Sequence, residues 1–463
     1  MHPILLVCNI IATVLGVLYA YRAIFVVIGL FWTKKYAPAK KQHRYAIVIA
    51  ARNEQTVIGN LLDSIKQQDY PAELLTTFVV ADNCTDKTAQ TVRDHGAICY
   101  ERFDTEHCTK GYALQFLFEQ IERDFGRESF DAYIIFDADN LLMHDYVSRM
   151  NDAFDAGESV VVSYRNTKNL GDGWISAGYA LHWLRTCRLE HCGRSVFGIS
   201  GRIQGTGVLF ANKYVRYGWN YTSLTEDRAF SSDIVAAGDS IAYQHEAQFY
   251  DEQPTSLFIA MRQRLRWAKG NLQAFTETGG KLFLGIFNKR GTVRKISCYD
   301  MLLFNFPNSV VTIPIKLIEV VMLFVLVFTS GDPSPAWYFL LFQTLQILVF
   351  EHFTAIPLAW LTFFAERRRM VRLRWYQYVW YSLMFPIFGI IGDVAMFLAV
   401  FVKVRWNPIP HHANIQIEDL ENTGGARPTD PPAQEETPAQ APADTENDTP
   451  AETADERETV GKK

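Results

Sequence analysis

Hydrophobic and polar positions fall into four regimes along the chain. Residues 4–32 form a 29-residue apolar run broken by Asn9 and Arg22. That exceeds the ~20 residues a helix needs to cross a bilayer, and it predicts a transmembrane helix over residues 1–33. From residue 45 to about 250, short β-type runs alternate with helical patterns. The pairs are Ala46–Ala51 then Thr56–Gln68, Thr77–Ala81 then Asp86–His95, and Ala97–Tyr100 then Lys110–Asp124. Ala132–Phe136 then His144–Phe154 and Ser159–Tyr164 then Trp174–Leu189 continue the series. Strands separated by helix-length segments predict an α/β fold, a mostly parallel sheet with crossover helices on both faces. In 254–276, Phe258, Met261, Leu265, Ala268 and Leu272 recur at helical spacing with basic residues off that face. This is the pattern of a helix lying on a membrane surface, and Lys281–Lys295 is a second basic, partly apolar stretch suited to the same surface. Three longer apolar segments, Val310–Thr329, Ala336–Phe364 and Tyr376–Val402, predict about three membrane helices within 296–404. Their polar groups, among them Lys316, Glu319, His352 and Asp393, are expected to face the bundle interior. From Gly424 to Lys463 large apolar residues all but vanish, and residues 405–463 are expected to form a disordered acidic tail.

Composition changes this picture in two places. The net charge of −5 is set by the tail: residues 411–463 hold 13 acidic and 4 basic side chains, which leaves +4 on the preceding body. A mildly basic body suits anionic lipid and anionic nucleotides, and no nucleic-acid partner is expected. Lys34, Lys35, Lys40, Lys41 and Arg44 follow the first apolar run, and Arg367, Arg368, Arg369, Arg372 and Arg374 separate the last two. The positive-inside rule makes both loops cytoplasmic, so a multi-pass plasma-membrane protein with a cytoplasmic domain over 34–295 is expected. The seven cysteines show no Cys-x-x-Cys or zinc-finger spacing and read as scattered thiols of a reducing compartment.

The candidate chemistry sits at strand ends. Tyr133-Ile134-Ile135-Phe136 runs straight into Asp137-Ala138-Asp139-Asn140, two carboxylates at the carboxyl end of a buried strand, where ligands bind in such sheets. Mg²⁺ takes only one or two protein carboxylates and fills its shell with water and phosphate oxygens, so this pair suits a divalent ion. The first strand ends in Ala51-Arg52-Asn53-Glu54 rather than a Gly-x-Gly-x-x-Gly turn, which disfavours a dinucleotide-binding domain. The second ends at Asp82, with Asp86 placed to cap the next helix. Lys110-Gly111 opens another helix, and Gly205-Thr206-Gly207 forms a small-residue loop that allows close approach. Thr225 is a natural N-cap ahead of Glu226-Asp227. Gln263-Arg264-x-Arg266-Trp267 supplies guanidinium groups suited to a diphosphate and an indole suited to a sugar ring.

Asp82, Asp137-x-Asp139, Thr225-Glu226-Asp227 and Gln263-Arg264-x-Arg266-Trp267, in that order and flanked by apolar spans, resemble the membrane-embedded family 2 glycosyltransferases. That group holds the cellulose, chitin, hyaluronan and poly-N-acetylglucosamine synthases. The resemblance covers roughly residues 44–276 by motif and 1–410 by architecture. It implies a GT-A (nucleotide-diphospho-sugar transferase) domain inserted between transmembrane helices, and inverting transfer from a UDP-sugar. It implies that Asp82 contacts uridine, that Asp137 and Asp139 hold the nucleotide and its Mg²⁺ or Mn²⁺, and that Asp227, beside Glu226, is the general base. Glu54, Lys110, Gly205, Thr206, Gln263, Arg264, Arg266 and Trp267 complete the expected substrate-binding set. Thr109-Lys110-Gly111 departs from the family's usual Gly-Lys-Gly. The implied product is a growing polysaccharide, with or without export; the alternatives are a single sugar moved to a lipid or lipid-linked acceptor, and a catalytically inert sugar-nucleotide sensor.

Overall fold

The computed structural model describes residues 3–329, 337–404, 411, 413 and 415–422, all within one unit ending at Arg427. Of the expected acidic tail, positions 405–410, 412, 414 and 423–463 lie outside them. Eight strands among the described residues make one sheet: β1 (Tyr45–Ala51), β2 (Leu75–Asp82), β3 (Ile98–Arg102), β4 (Ala132–Asp137), β5 (Leu141–Leu142), β6 (Val160–Thr167), β7 (Val208–Ala211) and β8 (Ala242–Asp251). Their order is β3-β2-β1-β4-β7-β6-β8-β5. β1 runs parallel to β2 and β4, β2 to β3, and β6 to β8, which gives the mostly parallel sheet the alternating pattern predicts. β7 runs antiparallel to both β4 and β6. The chain therefore enters β7 at the same edge where β1, β2, β4, β6 and β8 end.

The helices are α1 (Pro3–Ala20), α2 (Arg22–Phe31), α3 (Ile58–Lys66), α4 (Thr88–Asp94), α5 (Lys110–Phe125), α6 (Tyr146–Asp155), α7 (Trp174–Arg185), α8 (Cys192–Val196) and α9 (Glu226–Ala237). After them come α10 (Leu257–Asn288), α11 (Thr292–Asn305), α12 (Asn308–Thr329), α13 (Trp337–Phe353), α14 (Ala355–Glu366), α15 (Trp375–Phe401) and α16 (Ile417–Asn422). Alternate strand residues sort onto two layers. Ala46, Val48, Phe78, Val80 and Ile135 pack with Leu114, Leu117 and Ile121 of α5. Ile47, Ile49, Val79, Ile134 and Phe136 pack with Leu61 and Ile65 of α3 and with Val147 and Met150 of α6. Each fully buried side chain of this kind contributes about 1.5–3 kcal/mol, so the two-sided core holds the strand ends in register.

Several boundaries differ from the sequence expectation, each for a local reason. Trp174–Leu189 is α-helical only to Arg185; Thr186–His191 widens into a π-turn before α8. That turn receives α2, whose Gly29 lies against the Arg188 carbonyl while Gly193 lies against the Phe25 backbone. The two expected interfacial stretches merge at their junction, because α10 continues unbroken for 32 residues to Asn288. Ala336–Phe364 is two helices that part at Thr354, since Pro357 in the first turn of α14 has no N–H to offer the Phe353 carbonyl. Three described helical stretches are long and apolar enough to cross a membrane: Pro3–Phe31, Asn308–Thr329 and Trp375–Phe401. The expected domain boundary at 295/296 falls inside α11, and the expected tail beginning at 405 gives way to α16, where Ile417 and Leu420 are buried against Leu141 and Tyr250. Asp393 of α15 does face inward, meeting Ser309 Oγ at 2.6 Å and His352 Nε2 at 2.9 Å.

α11 is tied to the sheet domain by a buried ion pair. Arg194 donates to Asp300 from Nε at 2.8 Å and from Nη2 at 3.2 Å. Asp300→Ala leaves that guanidinium buried without its partner, and a loss of about 3–5 kcal/mol is expected, read as a lower Tm of the solubilised protein. An unchanged Tm would mean that water or another acceptor replaces Asp300 at no cost.

Candidate active site

The shared strand edge gathers the predicted residues because parallel strands all end on one side. At the end of β2, Asp82 is buried, with Arg52 and Arg102 both on its carboxylate; Arg102 Nη1 donates to Oδ1 at 2.8 Å. The turns after β1 and β2 pass through Asn53 at φ 57° and Asn83 at φ 51°, left-handed positions that Asn tolerates better than most residues. Asp86 accepts from the Thr88 amide at 3.0 Å at the start of α4, as its spacing predicts.

At the end of β4, Asp137 is a junction. Its amide donates to Thr206 Oγ1 at 3.0 Å, and its carboxylate meets Lys110 Nζ, which also donates to the Gly205 carbonyl at 2.8 Å. Lys110 comes from the first turn of α5, and Gly205 and Thr206 from the loop that enters β7. Thr206 stands behind Asp137 rather than on the cavity wall. Burial works against the Lys110 charge, but Asp137 and Glu226 outweigh it and raise the ammonium's proton affinity. Asp139 is buried one residue further on and accepts from the Glu252 amide at 2.9 Å.

The opposite wall comes from α9 and α10. Glu226 and Asp227 open α9 beside Lys110. Burial pushes Glu226 up to about 7, with Lys110 opposing and the Asp227 charge adding to the rise. Burial also raises Asp227, against the pull of Arg228 and Lys110. Thr225 does not act as the expected cap: its hydroxyl is buried without a hydrogen-bond partner among the described residues and packs onto Gly270 of α10. On α10, Gln263, Arg266 and Trp267 line the cavity, three and four residues apart on one helix face. Arg264 lies about 100° round the helix from Gln263 and about 160° from Arg266, on the side that meets α15. It donates to the Phe388 carbonyl at 2.9 Å and lies 3.6 Å from the centre of that ring, so its expected contact with substrate is replaced by one with α15. Trp267 stands edge-on to Tyr179 and Trp183, both 5.8 Å away.

These groups line one cavity of about 390 Å³ that includes Glu54, Asp82, Lys110, Asp137, Asp139, Gly205, Glu226, Asp227, Gln263, Arg266 and Trp267. Several further lining residues had no signal in the sequence pattern, Arg165, Arg202 and His411 among them. Arg165, an interior residue of β6, lies 3.8 Å over the Trp183 ring. Arg202 precedes β7 in an irregular segment. His411 follows the last long apolar helix, and its Nδ1 lies 2.9 Å from Glu54 Oε1. Burial opposes its charge, yet Asp139 and Glu54 carry His411 up to about 10.

Among the described residues no group of three or more His, Cys, Asp or Glu side chains is arranged to hold an ion unaided. The donor set at the β4 end still fits a hard cation. The Asp137 side chain is 38% exposed toward the cavity with Asp139 beside it, and two carboxylates are what Mg²⁺ or Mn²⁺ takes from a protein when phosphates supply the rest. The chemistry available is an acidic pair near a buried ammonium and guanidinium, with an aromatic wall.

Residues 43–270 match the family model described as Glycosyltransferase like family 2. The probable glycosyltransferase YdaM of Bacillus subtilis is 22% identical over 291 residues, 58% of this chain and 63% of that protein. The beta-monoglucosyldiacylglycerol synthase of Synechocystis sp. is 22% identical over 234 residues, 50% of this chain and 48% of that protein. The chain thus spans between about half and under two thirds of the length of these curated relatives. The mannosyltransferase PcManGT from Pyrobaculum calidifontis, solved in complex with GDP-Man and Mn²⁺, superposes with a TM-score of 0.55 at 17% identity, covering 85% of this chain and 98% of that one, a likeness of fold. With its acids and its Gln-x-x-Arg-Trp face assembled at the carboxyl edge of a GT-A sheet, residues 43–270 form a domain of the glycosyltransferase family 2 type.

Proposed function

We propose that the enzyme moves one sugar, with inversion, from a UDP-sugar to a membrane lipid acceptor. The observation that carries this reading is a single cavity shared by Asp137, Asp227 and Trp267, lined at its far end by Arg22 of the N-terminal apolar helix and Phe304 of α11. In this reading Asp82 and Glu54 receive the nucleoside, and Lys110, Gln263 and Arg266 face the diphosphate. Asp227 accepts the proton of the acceptor hydroxyl as its oxygen bonds to the anomeric carbon. The bond from that carbon to the diphosphate breaks, and its electron pair leaves with UDP. One positioned base and one displacement invert the anomeric configuration. Asp137 and Asp139 would hold Mg²⁺ or Mn²⁺, which when bound neutralises charge on the leaving diphosphate. Buried cations beside that group act in the same direction without reorganising, because they are fixed before the bond breaks.

The catalytic domain is read as cytoplasmic, from the lysines after residue 33 and the arginines at 367–374. Contacts support an in-plane rather than a membrane-crossing course for α15. Tyr381 donates to the Gly171 carbonyl at 3.1 Å near its start, and Lys269 Nζ donates to the Ala399 carbonyl at 3.0 Å near its end. Both ends thus meet the globular domain, and nine residues past Val402 His411 reaches Glu54, a stretch of about 30 Å at most. On this reading α1–α2 and α12 cross, the shorter α13 and α14 together bring the chain back, and residue 411 lies on the catalytic side.

Membranes supplied with UDP-sugars and Mg²⁺ or Mn²⁺ test the reaction by UDP release and product size. Label in a solvent-extractable glycolipid is expected; a long polymer would restore the polysaccharide reading. Asp227→Asn is expected to lower kcat by about a hundredfold to ten-thousandfold while UDP binding persists. Glu226→Gln removes a negative charge beside Asp227 and so lowers the proton affinity of the base. The acid limb of its kcat/KM profile is expected to move to lower pH, and an unmoved limb would take Asp227 out of that role. A reporter fused after Asn422 is expected to lie on the cytoplasmic side, whereas an external reporter would make α15 a span.

A further inference from the structure

The cavity continues past Asp227 to a second wall, made by Arg22, Arg185, Arg202 and Arg228 over Phe304, with Glu190 among them. Arg202 and Arg228 lie over the Phe304 ring at 3.8 and 4.4 Å. Glu190 is shared: it pairs with Arg202, accepts from Arg194 Nη1 at 3.2 Å, and stands 3.5 Å from Arg185 Nη2. Behind the wall, Arg194 is matched by Asp300, which Arg22 approaches only to 3.5 Å. Arg22, Arg185, Arg194, Arg202 and Arg228 therefore face three carboxylates, Glu190, Asp300 and Asp227, an excess of two positive charges in a largely buried site. Arg22 Nη2 and Arg185 Nε are buried with no hydrogen-bond partner among the described residues. A surplus of buried guanidinium charge is costly, and a bound anion lowers that cost.

The wall also has a membrane side. Arg22 opens α2, whose Ile24 and Val27 are each 55% exposed as lipid-facing residues are, and Phe304 lies in the last turn of α11, just before the apolar α12. We propose that this wall is the headgroup pocket of an anionic phospholipid acceptor, one that carries a free hydroxyl as well as a phosphate. The phosphate oxygens meet the cavity-facing parts of the Arg22 and Arg185 side chains, which are 28% and 30% exposed, and the hydroxyl is presented to Asp227. The transfer balances as written above: the hydroxyl oxygen bonds to the anomeric carbon, its proton goes to Asp227, and UDP leaves with the electron pair. A neutral diacylglycerol offers the hydroxyl and nothing to match the excess charge. This inference deepens, and rests on, the reading of the enzyme as a lipid glycosyltransferase.

The test uses the full chain in nanodiscs or detergent, with two readouts. The first is calorimetric binding of short-chain phosphatidylglycerol, phosphatidylcholine, diacylglycerol or inorganic phosphate to the Asp227→Asn protein, which needs no turnover. The second is the acceptor KM of the active enzyme. Phosphatidylglycerol is expected to bind and the two lipids without both groups to bind far more weakly. Arg185→Gln, at the more accessible arginine of the wall, is expected to weaken binding about tenfold and raise the acceptor KM to match, with the donor KM unchanged and partial rescue by Arg185→Lys. Equal binding of diacylglycerol, indifference to Arg185→Gln, or phosphate binding as tightly as the lipid would overturn the proposal. Lipid binding without sugar transfer to any lipid would instead remove the lipid-transferase reading and leave the anionic headgroup pocket standing.

Discussion

The contact on which the site depends is the Lys110 ammonium held between the Asp137 carboxylate and the Gly205 carbonyl. One cation ties together the start of α5, the end of β4 and the entrance to β7, three segments far apart in sequence. A buried charge must be matched, so this arrangement is stable only while all three keep their places. Glu226 and Asp227 then see a fixed positive charge next to them, and burial among like charges sets the pair's proton affinity. The position of the acid at the β4 end follows from strand pairing and from the ion pair that Asp137 makes with Lys110.

A second constraint is the meeting of sheet domain and apolar helices. α10 carries two functions on one helix because Arg264 lies about 160° round the axis from Arg266. Gln263, Arg266 and Trp267 look into the cavity; Arg264 grips α15. Gly270 admits the Thr225 side chain, so the helix that supplies the aromatic wall also braces the start of the helix that bears the acids. α2 and α11 are held to the domain by Arg194, Arg188 and Asp300 rather than by apolar packing alone. The cavity is thereby joined physically to the apolar helices.

Much of the fold was legible in the order of residues. Strands such as Tyr45–Ala51 and Ala132–Asp137 are short, β-prone and buried on both faces, so their composition alone marks them as interior strands. The acids at their ends were legible for the same reason, because a carboxylate directly after a buried strand has only the sheet edge to occupy. Helix breaks were less so. The parting at Thr354 turns on one missing N–H at Pro357, and the π-turn at Thr186–His191 answers to α2, which lies over 150 residues earlier.

What the sequence by itself determined is therefore periodic: which segments are strands, which are apolar helices, and which carboxylates stand at strand ends. Those follow from side-chain spacing and burial, which are local properties. Only the tertiary structure decided that Arg264 leaves the cavity, that Thr225 packs instead of capping, and that His411 and Arg202 join the wall. Each of those outcomes depends on which partner a polar group meets once burial removes water, and that partner comes from a distant part of the chain.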